Sequence, residues 1–384
     1  MLSNSDIDIM TTEEFRQSVL RNIERDPVAV ALDRHIDNAS LVATQVKYLQ
    51  RAKQKLPRLY SAGCIIPPRA FEQSSSEESA SVKSISGSTL LDLTCGLGID
   101  TMSFAERFDR VVTLERDEVL ARVVRYNLNL LGIKNVEVVT TSAEEYLEQC
   151  TEHFDWIFVD PDRRSAEGKK MVRMEDCSPN ILAQMANIER VSNRLGVKLS
   201  PLFDVEEAHR LFPCAEVEVV SISGECKELN IYTKAERAKL RTIIPGVGSW
   251  EYDFEATTTH PTTSSLDIDS AKYLIIPDVA LQKGRVAVTE FSPYAQIWSN
   301  NGYAFAEVLP EHKIPGKVYE IERIERYNPK QLKKEFKGIG VEILKRDTHL
   351  SIEAVRKATN MRAGSERMIA ITSINSDIWT IFIK

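Results

Sequence analysis

From Thr89 onward the chain alternates short apolar runs with stretches of helical periodicity. Leu90 to Leu93, Val111 to Glu115, Val136 to Val139, Trp156 to Val159 and Val197 to Leu199 read as buried strands, with a helix expected near Ile181 to Leu195 before the last of them. Strand and helix in alternation predict a parallel, doubly wound sheet. Val217 to Ser223 and Leu229 to Tyr232, divided by Gly224-Glu225-Cys226-Lys227, predict an antiparallel pair that closes it. Upstream, Phe15, Val19 and Ile23 recur at helical spacing, and Ala31, Leu32, His35 and Ile36 extend the pattern. Residues from about Thr11 to Leu59 are therefore expected to be helical until Pro57. The polar string Phe71 to Ala80 has the composition of a disordered linker, but its place just ahead of the sheet also suits a helix or loop that covers a ligand.

A stretch rich in Thr, Ser and Pro, Ala256 to Ser265, predicts a linker, after which the pattern becomes α+β without an internal repeat. Tyr273 to Pro277, Val286 to Thr289, Lys317 to Ile321, Val341 to Ile343, Met368 to Thr372 and Trp379 to Ile383 read as strands, and Pro329 to Lys337 and Ile352 to Thr359 as helices.

With 384 residues and 43% hydrophobic content the chain can form two or three ordinary globular domains. No apolar run approaches the roughly 20 residues of a membrane helix, and Met1 to Arg21 mixes acids with polar residues, so a cytoplasmic protein without a membrane span is expected. Cys64, Cys95, Cys150, Cys177, Cys214 and Cys226 are scattered, which indicates neither a disulfide framework nor a metal site. The net charge of -7 argues against a protein that coats nucleic acid, while leaving room for a local basic face.

Chemistry concentrates at the ends of the predicted strands. In Asp92-Leu93-Thr94-Cys95-Gly96-Leu97-Gly98-Ile99-Asp100, Gly96 and Gly98 lack the Cβ that would stop a ligand from lying against the turn. About twenty residues on, Glu115 ends the next strand, where a carboxylate can accept both hydroxyl hydrogens of a ribose. A dinucleotide is the rival ligand, but Thr101 occupies its third glycine position, and Asp100 would repel a pyrophosphate at the helix start. A cationic sulfonium meets no such objection, so the expected cofactor is S-adenosylmethionine. Asp160, in Asp160-Pro161-Asp162-Arg163-Arg164, should then face the transferable methyl and position the acceptor. Arg163 and Arg164 suit either salt bridges to neighbouring acids or a phosphate or carboxylate of the acceptor.

Two further features have competing readings. Cys177 and Cys226 can be proposed as nucleophiles for methylation at pyrimidine C5, but the role of a small buried packer fits such isolated thiols better. Lys330, Lys333, Lys334 and Lys337, at i, i+3, i+4 and i+7, make a cationic stripe that is either a solvated helix face or, with Lys345 and Arg346, a footprint for an RNA backbone.

Together these motifs resemble class I methyltransferases, and more closely a bacterial family in which that Rossmann-like domain, with its seven-stranded sheet, precedes a ferredoxin-like segment and a THUMP-like C-terminal domain. The resemblance rests on Phe71-Glu72-Gln73-Ser74-Ser75-Ser76-Glu77, on Asp92 to Asp100, on Asp160-Pro161 with Arg163-Arg164, and on Gly224-Glu225-Cys226-Lys227-Glu228. It implies an N-terminal helical region and cofactor lid over residues 1–82, a methyltransferase domain over 83–255 and a ferredoxin-like/THUMP-like α+β module over 266–384. By the same resemblance Gln73, Ser74, Ser75 and Ser76 would close over the methionine moiety, Asp92, Thr94, Gly96 and Gly98 would line the cofactor turn, and Glu115 would hold the ribose. Ser142 stands where relatives place an adenine-binding Asp, and Ser142 or Glu144 would substitute for it. THUMP domains elsewhere bind RNA, so the implied acceptor is RNA. Methylation of a small molecule or protein, and a non-catalytic protein that binds S-adenosylmethionine, are the alternatives.

Overall fold

In the computed structural model, which describes residues 2–162, 174–233, 237–255, 268, 270–374 and 377–384, the apolar runs of the first half become parallel strands. These are β1 (Gly87–Asp92), β2 (Phe108–Leu114), β3 (Val136–Val139), β4 (Trp156–Val159) and β5 (Leu195–Leu199), hydrogen-bonded in the order β3-β2-β1-β4-β5. The order reverses at β1, which has β2 on one side and β4 on the other, so a crevice opens at the carboxyl ends of these strands. Two further strands, β6 (Glu216–Ile222) and β7 (Glu225–Tyr232), are joined by Ser223 and Gly224, both at positive φ as a tight hairpin turn requires. The strand β7 runs antiparallel to β5, with Leu199 opposite Leu229 and Gly196 opposite Tyr232. Gly196 permits this close pairing, because a Cβ there would lie 3.0 Å from the Phe158 ring and 3.3 Å from that of Tyr232.

By compactness the chain divides into two units: Met1–Glu216 with Glu228–Glu236, and Val217–Lys227 with Arg237–Lys384. Of the expected seven-stranded sheet, β1 to β5 and β7 from Glu228 on fall in the first unit, while β6 apart from Glu216 and the first three residues of β7 fall in the second. The first unit also contains the N-terminal helices Asn4–Met10, Glu13–Arg21, Pro27–Ala31, Ala39–Lys55 and Pro57–Ala62. Ser3 and Asp6 cap the first of these reciprocally, and Thr12 and Asp26 cap the next two. Their inward residues, among them Ile7, Val19, Val42, Val46 and Leu49, share a core with Leu97, Met102, Val124 and Leu128. Each such fully buried side chain contributes about 1.5–3 kcal/mol. Trp156, Phe158, Phe104, Phe108 and Tyr232 form a second, aromatic-rich core in the same unit.

In the second unit β8 (Lys239–Ile244) and β9 (Gly248–Asp253) form an antiparallel pair that the sequence pattern had not indicated. The remaining strands are β10 (Tyr273–Pro277), β11 (Ala304–Ala306), β12 (Gly316–Arg326), β13 (Gly340–Lys345), β14 (Arg362–Ala363), β15 (Arg367–Ile374) and β16 (Asp377–Ile383), in the order β11-β10-β12-β16-β15-β13-β14. Helices Pro329–Glu335 and Ile352–Thr359 bring Leu332 and Val355 to one core with Ile369, Ile371 and Phe382. A second core gathers Leu274, Phe305, Ala370 and Ile381. The run Val286 to Thr289, expected as a strand, instead caps and begins the helix Ala287–Phe291: three consecutive buried apolar residues, Val286 to Val288, carry no period that tells the two apart. The predicted linker Ala256 to Ser265 lies outside the described residues.

Candidate functional site

Three acids mark the crevice: Asp92 ends β1, Glu115 follows β2, and Asp160 follows β4. Asp92 is turned inward and 1% exposed. Its Oδ2 accepts the hydroxyls of Thr101 (2.6 Å) and Thr113 (2.9 Å), and its Oδ1 accepts the Thr94 N–H at 3.0 Å. Burial pushes this carboxyl up to about 6 against those three hydrogen bonds. Thr101, occupying the third glycine position, is thus part of the scaffold that fixes the turn.

The two glycines of the turn do different work. A Cβ on Gly96 would meet nothing within 4 Å, so space is open in front of it, and its N–H donates to Glu115 Oε2 at 3.0 Å. Gly98, at φ +80°, faces Val124 instead, 3.2 Å from where its Cβ would be. The two glycines expected to open a ligand surface therefore differ: space is open beside Gly96, whereas Gly98 serves packing and a left-handed helix start. Glu115 also accepts the Asp117 N–H through Oε1 at 2.9 Å, and burial raises its carboxyl above the ordinary value despite both bonds.

Asp160 is tied on two sides. Its backbone N–H donates to Thr94 Oγ1, and its Oδ2 accepts from Lys198 Nζ on β5 at 2.5 Å. Lys198 also donates to Ser75 Oγ at 2.8 Å and lies 3.4 Å from Asp100 Oδ2, which accepts the Ser75 hydroxyl at 2.9 Å. On the far side of Asp100, the fully buried Lys83 lies 2.7 Å from Asp100 Oδ1 and 2.7 Å from Glu228 Oε1 on β7. Acid and base thus alternate from Glu228 through Lys83, Asp100 and Lys198 to Asp160. Burial alone would raise the Asp100 carboxyl, but Lys83 and Lys198 outweigh it and hold the group well below the usual carboxylate range. Burial likewise opposes the charge on both lysines, and the flanking acids outweigh it. For Asp160 burial prevails over Lys198 and the carboxyl is raised. Asp100 is therefore balanced by two lysines and is not the free carboxylate that the sequence reading set against a pyrophosphate.

The serine string is ordered by short helices on either side, Pro68–Gln73 and Glu77–Ser81. Gln73 ends the first and is exposed, Ser74 donates to the Phe71 carbonyl, and Ser76 caps the second by accepting the Ser79 N–H. Of the four, Ser75 is joined to the charged row. Ser142 forms a capping box with Glu145 at the head of helix Ala143–Gln149. Arg163 and Arg164 lie outside the described residues. Cys95 and Cys177 are buried, and burial pushes the Cys95 thiol far up, the opposite of what a nucleophile needs. Lys83 and Lys198 were missed. Lys198 left one signal, a lone charge in the apolar run Leu195 to Leu199.

In the second unit Lys330, Lys333, Lys334 and Lys337 are all exposed, but the helix ends at Glu335, so Lys337 stands beyond it and is not part of a single helical stripe. No helix among the described residues is long and apolar enough to cross a membrane, and no group of His, Cys, Asp and Glu among them is arranged to hold a metal.

Against known proteins, residues 71–177 match the family described as Conserved hypothetical protein 95, and residues 316–383 match the family described as THUMP domain-like. A solved structure from Porphyromonas gingivalis W83, described there as that of a candidate methyltransferase, aligns over 100% of this chain and 98% of its own at a TM-score of 0.81 and 25% identity. The chain pairs a methyltransferase-fold unit with a THUMP-like domain. Among curated proteins it is similar to tRNA/tmRNA (uracil-C(5))-methyltransferases. The one from Neisseria meningitidis is 29% identical over 143 residues, 31% of this chain and 39% of the relative. The one from Shigella flexneri is 30% identical over 138 residues, 30% of this chain and 37% of the relative. The chain thus spans less than two fifths of the length of these curated relatives.

Proposed function

We propose that this protein is an S-adenosylmethionine-dependent methyltransferase acting on RNA, with residues 1–82 supplying a helical region and lid, 83–255 the catalytic domain and 266–384 the RNA-presenting module. The observation that carries the cofactor reading is the open space before Gly96, beside Glu115 after β2 and at the same carboxyl ends of the strands where Asp160 follows β4. In this reading Glu115 takes the ribose hydroxyls on the lone pairs that Gly96 and Asp117 leave free. Gln73, Ser74, Ser75 and Ser76 cover the methionine end, Thr94 and Asp92 hold the turn, and Ser142 lies toward the adenine. The cofactor supplies a methyl on a positively charged sulfur, a transfer that needs alignment and exclusion of water more than acid or base help. Asp160 accepts a hydrogen bond from the acceptor and orients its lone pair, while Arg163 and Arg164 meet the acceptor's phosphate.

The curated relatives are named for uracil C5. That carbon becomes nucleophilic only after a thiolate adds to the ring; Cys95 and Cys177 are buried, and Cys226, which is half-buried, belongs to the second unit. The RNA part of the proposal draws on the THUMP-like match and the names of those relatives. Incubating the protein and labelled S-adenosylmethionine with RNA, protein and small-molecule fractions from cells lacking the gene tests it. Label is expected in RNA; label in another fraction replaces the acceptor, and none in any fraction leaves a binding protein.

A further inference from the structure

The row of alternating charges assigns a role to Lys198 that neither the family matches nor the sequence motifs suggest. We propose that Lys198 is the positioning residue of the acceptor site: it keeps Asp160 an acceptor-only carboxylate, aims it, and thereby selects an acceptor atom that presents an N–H or O–H. This rests on the reading above in that Asp160 faces the acceptor. Three observations support it. First, Lys198 Nζ is 2.5 Å from Asp160 Oδ2, while Thr94 fixes the Asp160 backbone, so the carboxylate is held at both ends. Second, Lys198 projects from a strand whose other residues are buried and apolar or glycine, which gives its ammonium few places to go. Third, the Asp160 side chain is still 36% exposed, against 12% for Lys198, so the acid is the member of the pair that an acceptor can reach.

The rest of the row determines what removing Lys198 would do. Among the described residues, the charged groups acting on Asp160 are Lys198 on β5, Asp100 on helix Ile99–Phe104 and Glu228 on β7, with Lys83, ahead of β1, paired to the two acids. Lys83 is already shared between Asp100 and Glu228. Without Lys198, Asp160 would face two acids that share Lys83, and would take up a proton at higher pH. A protonated Asp160 keeps only a neutral carbonyl oxygen as acceptor and presents an O–H donor beside it, which weakens its hold on an N–H or O–H acceptor. Ser75 bonds both Lys198 and Asp100, so the serine string and the acceptor acid share one anchor.

The test follows the Asp160 carboxyl carbon by NMR across pH in the full chain, assigned by its loss in Asp160→Asn. In Lys198→Met the carboxyl is expected to titrate at least one pH unit higher than in wild type, and Lys198→Arg should restore most of the difference. With labelled S-adenosylmethionine and total RNA, Lys198→Met should lower kcat at least tenfold with a smaller change in KM, and the loss should deepen toward acid pH. Should Lys198→Met fail to fold, Lys198→Gln takes its place in both measurements. An unchanged Asp160 titration overturns the role of Lys198 even if wild type transfers methyl. A wild type that transfers none overturns the methyltransferase reading instead, and the titration still decides whether Lys198 sets the state of Asp160.

Discussion

Thr94 Oγ1 accepts the backbone N–H of Asp160 at 2.7 Å, so one hydroxyl couples the turn after β1 to the end of β4. Removing it leaves a part-buried N–H without that partner, a loss of about 1–3 kcal/mol. Thr94→Val is therefore expected to lower the denaturant midpoint and reduce methyl transfer, while Thr94→Ser, which keeps the hydroxyl, should retain most of both. Equal stability and turnover in Thr94→Val and wild type would show that the coupling is dispensable.

Glu115→Ala should weaken S-adenosylmethionine binding by about 1–3 kcal/mol, roughly 5- to 150-fold in Kd, through loss of charge-assisted hydrogen bonds to the ribose. Calorimetry reads this directly. Tight binding of a nicotinamide dinucleotide by wild type would instead reverse the cofactor assignment, a comparison made sharper because Asp100 is neutralised by Lys83 and Lys198.

Asp92 gives a pH dependence with a definite sign. Its folded value of about 6 lies above the ordinary 3.8, so between those values the folded protein holds a proton that the unfolded chain has released. The contribution of this group to stability is thus greatest at low pH and falls as pH rises from about 4 to 6, by on the order of 3 kcal/mol at 1.4 kcal/mol per unit. Carboxyl-carbon NMR should find Asp92 titrating near 6. Denaturation of wild type and Asp92→Asn across that window should show wild type losing ground as pH rises. A carboxyl that titrates near 4 contradicts both statements.

If the exposed lysines of the second unit contact RNA, replacing Lys330, Lys333, Lys334 and Lys337 together by Gln should weaken RNA binding and flatten its salt dependence. Each lost phosphate contact removes roughly 0.7 to 0.9 from the log-log slope. Gel-shift titrations at several salt concentrations measure that slope, and identical slopes would make these lysines a solvated surface.

What the sequence displayed well was local. The strands β1 to β5 announced themselves as apolar runs, and β10, β13 and helix Ile352–Thr359 came out close to their observed bounds, because burial on one or both faces writes its period into consecutive residues. The Asp92, Gly96 and Glu115 motif was visible for the same reason. Hidden were features made by distant residues. Lys83 and Lys198 become members of a site only when the end of β4, helix Ile99–Phe104 and β7 bring Asp160, Asp100 and Glu228 to them. The different duties of Gly96 and Gly98 depend on Val124, in a helix that the turn itself does not encode. The helix at Ala287–Phe291 was misread because its few residues are too short a stretch for a helical period to show.

The last strand of the second unit, β16, is not at the rim of its sheet but between β12 and β15. On the ribosome, β12 therefore emerges with its inner edge unpaired and stays so until residues 377–383 have followed it out. A sheet whose middle strand is made only after β13, β14 and β15 has long-range pairing as its slow step, and an unpaired edge in the meantime is a template for wrong partners. The nascent chain thus has a window of vulnerability to aggregation that closes late, and interruption of synthesis just before residue 377 would leave the THUMP-like domain without its centre.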